Sequence, residues 1–245
     1  MKIAVWVLAA LVGVSTFCAR AQDANVLTDA EKKDGWRLLF DGKSTEGWVT
    51  VKGTGEFPDH GWTIKDGVLT VNGGTGPESH GGGDIITKEK YSSFTLKFDF
   101  KITTGANSGV KYFVMPELSK GGKAGIGLEY QILDDEKHPD AKLGKDGDRT
   151  VSSLYDLIPA SKDKKPAPIG EWNHGMIVAS GKHCEHWLNG QKVLAYERDS
   201  EDFKTLIAGS KYKTLKGFGL AAEGPILLQD HGNNVSFENI KIKVP

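Results

Sequence analysis

Between residues 94 and 102 the chain alternates without a break. Phe94, Leu96, Phe98 and Phe100 are apolar, while Thr95, Lys97, Asp99 and Lys101 are polar. A period of two fits a strand that buries one face and little else. The turns agree with it. Trp62-Thr63-Ile64 and Val68-Leu69-Thr70-Val71 flank Lys65-Asp66-Gly67, and 183–188 meets 192–196 across Asn189-Gly190, the strongest short hairpin signal. Further strand-like runs occupy 36–40, 84–87, 109–115, 172–179, 216–222, 226–229 and 235–244. Sustained helical periodicity is nearly absent. The pattern predicts an all-β chain folded as a jelly-roll-like β-sandwich.

Lys2, the apolar stretch 3–17 and Ala19-Arg20-Ala21 read as a signal peptide over residues 1–21, cut before Gln22. Phe17 sits where lipoprotein processing at Cys18 wants a small residue, so soluble export to the periplasm or the extracellular space is expected. Residues 22–34 form an N-terminal arm or short helix, and 35–245 one sandwich domain. With no later apolar run long enough to cross a bilayer, membrane insertion is not expected. Cys184 is the one cysteine after the leader, which leaves no internal disulfide and suggests a buried, inert thiol. A formal charge of −1 argues against a nucleic-acid partner. The Gly-rich stretch 72–83 lacks the following helix and Lys-Ser/Thr of a phosphate cradle, and no dinucleotide fingerprint occurs, so no nucleotide cofactor is expected. Oligomeric state leaves no mark on the sequence.

Chemistry-bearing residues gather in two places. In the strand that starts at Gly127, Leu128, Tyr130 and Ile132 alternate with Glu129, Gln131 and Leu133, which puts Glu129 and Gln131 about 7 Å apart on one face. Asp134, Asp135 and His138 follow at its end. Such a set moves protons, holds sugar hydroxyls or binds a cation; it also suits a solvated face running into a polar turn. Near the C-terminus, Gln229-Asp230-His231-Gly232 joins two strand-like runs. If the last strands pair with earlier ones, His231 comes beside the Glu129 strand.

Several motifs in order carry a family resemblance. They are Trp36-Arg37-Leu38-Leu39-Phe40-Asp41-Gly42 with Gly47-Trp48, Asn107-Ser108-Gly109-Val110, Glu129-Tyr130-Gln131, Gly170-Glu171-Trp172-Asn173, His186-Trp187-Leu188-Asn189-Gly190 and Leu228-Gln229-Asp230-His231-Gly232. Over residues 34–244 the chain resembles the 3-keto-disaccharide hydrolase family. The resemblance implies a concanavalin A-like jelly-roll fold and cleavage of glycosides whose sugar carries a ketone at C3.

Such a ketone acidifies the C2 hydrogen. A base removes that hydrogen, the enolate expels the aglycone from C1, and water adds to the enone. The route needs a base, an oxyanion stabiliser and help for the leaving group. On this implied chemistry His231 is the first candidate base. Glu129 orients it, acts as acid/base or binds hydroxyls. Gln131, Gln229 and Asn107 suit hydroxyl binding, and Lys111 and Tyr155 suit an oxyanion. His138 and Asp135 either act at the strand end or are loop residues. A divalent metal ion on Glu129 and Asp134 is a further expectation. Trp48 or Trp62 at a rim would stack on a sugar, with most other tryptophans in the core, and His186 faces a groove or solvent. Two rivals remain open at this point. One is a non-catalytic lectin-like module. The other is a conventional glucanase, which needs two carboxylates where this strand offers Glu129 and the amide Gln131.

Overall fold

The structure is a computed structural model and describes residues 24–51, 55–73, 81–118 and 124–245. The predicted leader with Cys18, the start of the arm, and His80 with most of the Gly-rich stretch lie outside them. The first strands are β1 (Trp36–Leu38), β2 (Trp48–Thr50), β3 (Trp62–Lys65), β4 (Val68–Val71), β5 (Ile85–Thr87), β6 (Phe94–Ile102) and β7 (Asn107–Met115). The later ones are β8 (Ile126–Leu133), β9 (Asn173–Ser180), β10 (His183–Leu188), β11 (Gln191–Glu197), β12 (Leu227–Leu228) and β13 (Val235–Lys243). Two short helices accompany them, α1 (Asp29–Lys33) and α2 (Glu201–Ala208).

Two antiparallel sheets form the predicted jelly-roll sandwich. The larger has the order β11-β10-β9-β6-β13-β4-β3, with β1 on a further stretch of β13; the smaller is β2-β5-β12-β7-β8. The phenylalanines of β6 point between the sheets, and Phe98 meets Tyr130 of β8 edge-on at 5.2 Å. Interdigitation of this kind fills a sandwich core and is how alternation in single strands becomes stability. The arm is tied to the domain. Asn25 and Asn239 exchange backbone-to-side-chain hydrogen bonds at 2.6 and 2.9 Å, and Glu31 of α1 is ion-paired with Lys241.

Four expectations are corrected. Residues 216–222 are turns, because Gly217 and Gly219 both take positive φ, and a Cβ on Gly219 would lie 2.9 Å from the Phe203 ring. Helix α2 was not expected, yet Ser200 caps it by accepting from the Phe203 N–H at 3.1 Å, and Glu201 and Asp202 suit its first turn. Trp48 and Trp62 are no rim platforms. Both are buried, their indole N–H groups donating to the carbonyls of Leu39 and Gly83, whereas Trp36, Trp172 and Trp187 sit half-buried outside the core cluster. The lone Cys184 is buried as expected, which pushes its thiol up to about 11.

The fourth correction concerns His186, which faces neither groove nor solvent but lies fully inside the core. Its Nδ1 faces the Ser152 carbonyl at 3.0 Å and so carries the proton. Nε2 then accepts from the Tyr112 hydroxyl at 2.7 Å, and that hydroxyl accepts from Tyr196 at 2.6 Å. Burial pushes the imidazole down to about 4. An unfolded histidine titrates at about 6.5, so on acidification the unfolded chain takes up this proton first. The stability that neutral His186 contributes is complete above that pH and is lost as pH falls through about 4. Urea unfolding at pH 7 and pH 4.5 is therefore expected to show a loss about 2 kcal/mol larger for the wild type than for His186→Gln. Equal losses would remove His186 as the source.

Candidate active site

The outward face of the smaller sheet carries the site. In the antiparallel register Lys111 of β7 lies opposite Glu129 of β8, and Gly109 opposite Gln131. β12 pairs on the other side of β7, and the Gln229 N–H donates to the Gly109 carbonyl at 3.0 Å. That pairing carries the C-terminal turn across the sheet. The result is a pocket of about 120 Å³ lined by Asn107, Lys111, Glu129, Gln131, Gln229 and His231, with Tyr155, Lys211, Tyr212 and residues 125–127 around them.

The β8 strand is not half-solvated. Leu128, Tyr130 and Ile132 face the core, and the polar set is buried as well, Glu129 at 6% exposure and Gln131 at 1%. The loops that follow β8 and α2 bring Tyr155, Lys211 and Tyr212 against the pocket. Glu129 needs the glycine beside it, since a Cβ on Gly109 would stand 2.4 Å from its Oε1. The Lys111 ammonium lies 3.7 Å from Glu129 Oε2 and donates to the Gly125 carbonyl at 3.1 Å. The Gln131 amide is best satisfied with its nitrogen toward the Ser108 carbonyl at 3.0 Å and Glu129 Oε1 at 3.3 Å. Two buried polar atoms of the pocket residues have no hydrogen-bond partner among the described residues, Gln229 Oε1 and His231 Nδ1. Buried polar atoms left without a partner are costly, which sets these two apart from the satisfied groups around them.

Other predicted residues are placed differently. His138 stands behind His231, ring centroids 6.2 Å apart and nearly perpendicular; its Nδ1 accepts from the Asp140 N–H at 3.2 Å. Burial and the neighbouring His231 hold its imidazole below the usual value. Tyr155 lends its ring to the wall, but its hydroxyl is committed to Asp140 Oδ2 at 2.7 Å and does not serve an oxyanion. Asp135 accepts from the Val151 N–H and pairs with Lys164, so it fastens a loop, and Lys164 is mostly buried in doing so.

Asp134 is not a partner of Glu129. Its oxygens accept from the N–H groups of Gly105, Glu136 and Lys137, which tie off the end of β8 and hold its carboxyl low despite burial. The expected metal pair is thus not assembled. No three His, Cys, Asp or Glu side chains converge as ligands among the described residues. Glu129 is also the one carboxylate among the residues lining the pocket, so the pair a conventional glucanase requires is not formed there.

Sequence reading missed Lys211, Tyr212 and Asp84. The first two follow α2, whose signal was present as Ser200 before two acidic residues and Phe203, Leu206 and Ile207 at helical spacing. Lys211 packs its ammonium over the Tyr155 ring at 4.0 Å, and Tyr212 stacks on Phe218 at 3.9 Å. Asp84 stands alone beside the apolar Ile85-Ile86, itself a cue. It is 2% exposed, and burial, opposed by Lys111, pushes its carboxyl up to about 6.

A jelly-roll sandwich that gathers a carboxylate, an imidazole, amides and ammonium groups in one pocket is the framework of a carbohydrate-active hydrolase. The chain belongs to the family of the 3-keto-alpha-glucoside-1,2-lyase-like domain, whose sequence model matches residues 35–243. It is 38% identical over 231 residues to a 3-keto-disaccharide hydrolase of Bacteroides thetaiotaomicron, an alignment covering 86% of this chain and 79% of that protein. A crystal structure from Parabacteroides distasonis, described as a candidate glycosyl hydrolase, shares 34% identity with a TM-score of 0.77, over 90% of this chain and 98% of that one. A second structure from the same organism and of the same description shares 27% identity with a TM-score of 0.58, over 86% and 99%.

Proposed function

We propose that this protein cleaves 3-keto-glycosides by elimination at C1–C2 followed by hydration. The observation that carries the reading is the convergence of His231, Glu129, Lys111 and Gln229 on one pocket, with His231 Nδ1 and Gln229 Oε1 having no hydrogen-bond partner among the described residues. His231 takes the proton from C2. The electrons of that C–H bond form the C1=C2 bond of the enone by way of the enolate, whose C3 oxygen is met by the Lys111 ammonium. The C1–O bond breaks, and Glu129 manages the proton that the departing aglycone needs. Water then adds across the enone, oxygen to C1 and hydrogen to C2, so the net change is hydrolysis. Gln131, Gln229 and Asn107 hold ring hydroxyls, since an amide both donates and accepts. The identity of the Bacteroides relative supports the substrate class. The leader read at residues 1–21 supports export, which would bring the enzyme to sugars oxidised elsewhere.

Product analysis by NMR in deuterated water tests this. The protein is incubated with a 3-keto-glucoside and with its unoxidised parent. Cleavage of the keto-sugar alone, with deuterium entering C2 or an enone building up, is the expected result. Cleavage without deuterium at C2 would replace elimination by direct hydrolysis. Binding of both sugars with turnover of neither would leave a lectin-like module.

A further inference from the structure

We infer that Asp84 is the positioning residue of this pocket, one buried carboxylate that sets Lys111 through Gly125 and His231 through Asp230. Asp84 lies immediately before β5 and contributes no atom to the pocket lining. Its Oδ2 accepts from the Gly125 N–H at 2.8 Å, and the carbonyl of that same Gly125 accepts from the Lys111 ammonium at 3.1 Å. Its Oδ1 accepts from the Asp230 N–H at 3.0 Å. Asp230 returns the contact, because its Oδ2 accepts from the Gly83 N–H at 3.1 Å while its Oδ1 closes the turn onto the Gly232 N–H at 3.0 Å. His231 is held between Asp230 and Gly232. The two carboxylates thus form a reciprocal clamp across one end of the β5–β12 pair, and two groups that must converge on one sugar ring share a single anchor.

Burial explains why the clamp is stiff. Asp84 and Asp230 are 2% and 3% exposed, so each N–H lost to them would be left without water to replace the bond. The negative charge of Asp84 also faces the positive charge of Lys111 across a low-dielectric gap. The side chain of Asp84 bonds to two backbone N–H groups, one on the glycine whose carbonyl holds Lys111 and one on the residue before His231, so it serves the geometry of both.

The inference rests on the reading that Lys111 and His231 act on 3-keto-glycosides, and its test separates the two. Kinetics on a 3-keto-glucoside are measured for Asp84→Asn, Lys111→Met, His231→Gln and the double variants that pair Asp84→Asn with each of the other two. Asp84→Asn is expected to lower kcat about 10- to 100-fold with KM nearly unchanged. Each double variant is expected to lose clearly less than the product of its two single losses, because the part of the Asp84 effect that passes through the removed group is already gone. Losses that multiply, or an unchanged kcat, would reduce Asp84 to a merely structural residue and overturn the inference alone. Full activity in Lys111→Met and His231→Gln would overturn both readings. If Asp84→Asn does not fold, the same cycle is run with Asp230→Asn and His231→Gln, since Asp230→Asn opens the clamp from the other side and leaves Asp84 in place. Losses that fail to multiply there sustain the clamp, and losses that multiply overturn it.

Discussion

Glu129→Gln is expected to lower kcat on a 3-keto-glucoside by about 10³-fold, in the range that general acid–base groups contribute, with KM altered little. The amide keeps the shape of the carboxylate and cannot exchange a proton. Glu129 is buried and is the one carboxylate among the residues lining the pocket, so no neighbour there replaces it. Gly109→Ala provides the independent check. Its backbone φ is not in the positive region, so alanine is tolerated by β7 itself. The new Cβ would press on Glu129 Oε1 at 2.4 Å and on its Cδ and Cγ at 3.0 Å. These belong to the flexible end of a side chain, so the fold should persist while the carboxylate swings aside. A loss of about 10²-fold in kcat with an unchanged melting temperature is expected, the usual cost of misplacing a catalytic group by about an ångström. Normal turnover in Glu129→Gln would remove Glu129 from the chemistry; normal turnover in Gly109→Ala alone would show that its exact seat is unimportant.

Arg149→Met is expected to show the second large effect, on stability and on KM together. The guanidinium pairs with Asp156 at 2.6 Å and with Asp140 at 2.8 Å, all three side chains being less than a fifth exposed. Asp140 in turn holds the Tyr155 hydroxyl, and Asp156 Oδ2 accepts from the Lys211 N–H at 2.8 Å. One cation therefore fixes the two segments that supply Tyr155 and Lys211 to the pocket wall. Its removal leaves two mostly buried carboxylates unpaired, which costs about 3 kcal/mol or more. Denaturant unfolding should report that loss, and the loosened wall should raise KM about tenfold or more, several times the fall in kcat. A destabilised protein with native KM would show that the wall does not touch substrate. Lysine at 149 should rescue little, because a point charge cannot bridge both carboxylates as the planar fork does.

Part of this was legible in the chain. The alternation of Phe94 to Phe100 and the Asn189-Gly190 hairpin dictated strands and turns, because the period of the side chains and the φ demanded at a turn are local properties. The same local rule put Glu129 and Gln131 on one face of one strand. It also misled. Residues 216–222 have the composition of a strand, but two glycines with positive φ fold them against Phe203 instead. Asp134 and Asp135 look like ligands by type, yet their oxygens are taken by backbone N–H groups and Lys164.

By itself the sequence determined the all-β class, the hairpin positions and the pair of faces on each strand, all of which follow from contacts between near neighbours. Only the tertiary structure decided that both faces of β8 are buried, that Gly109 makes room for Glu129, that β12 carries His231 to β7, and that Asp84 anchors two groups distant from it in the chain. Those relations depend on strand order and on loops folding over the sheet. They are set by the packing of the whole sandwich, which local periodicity does not encode.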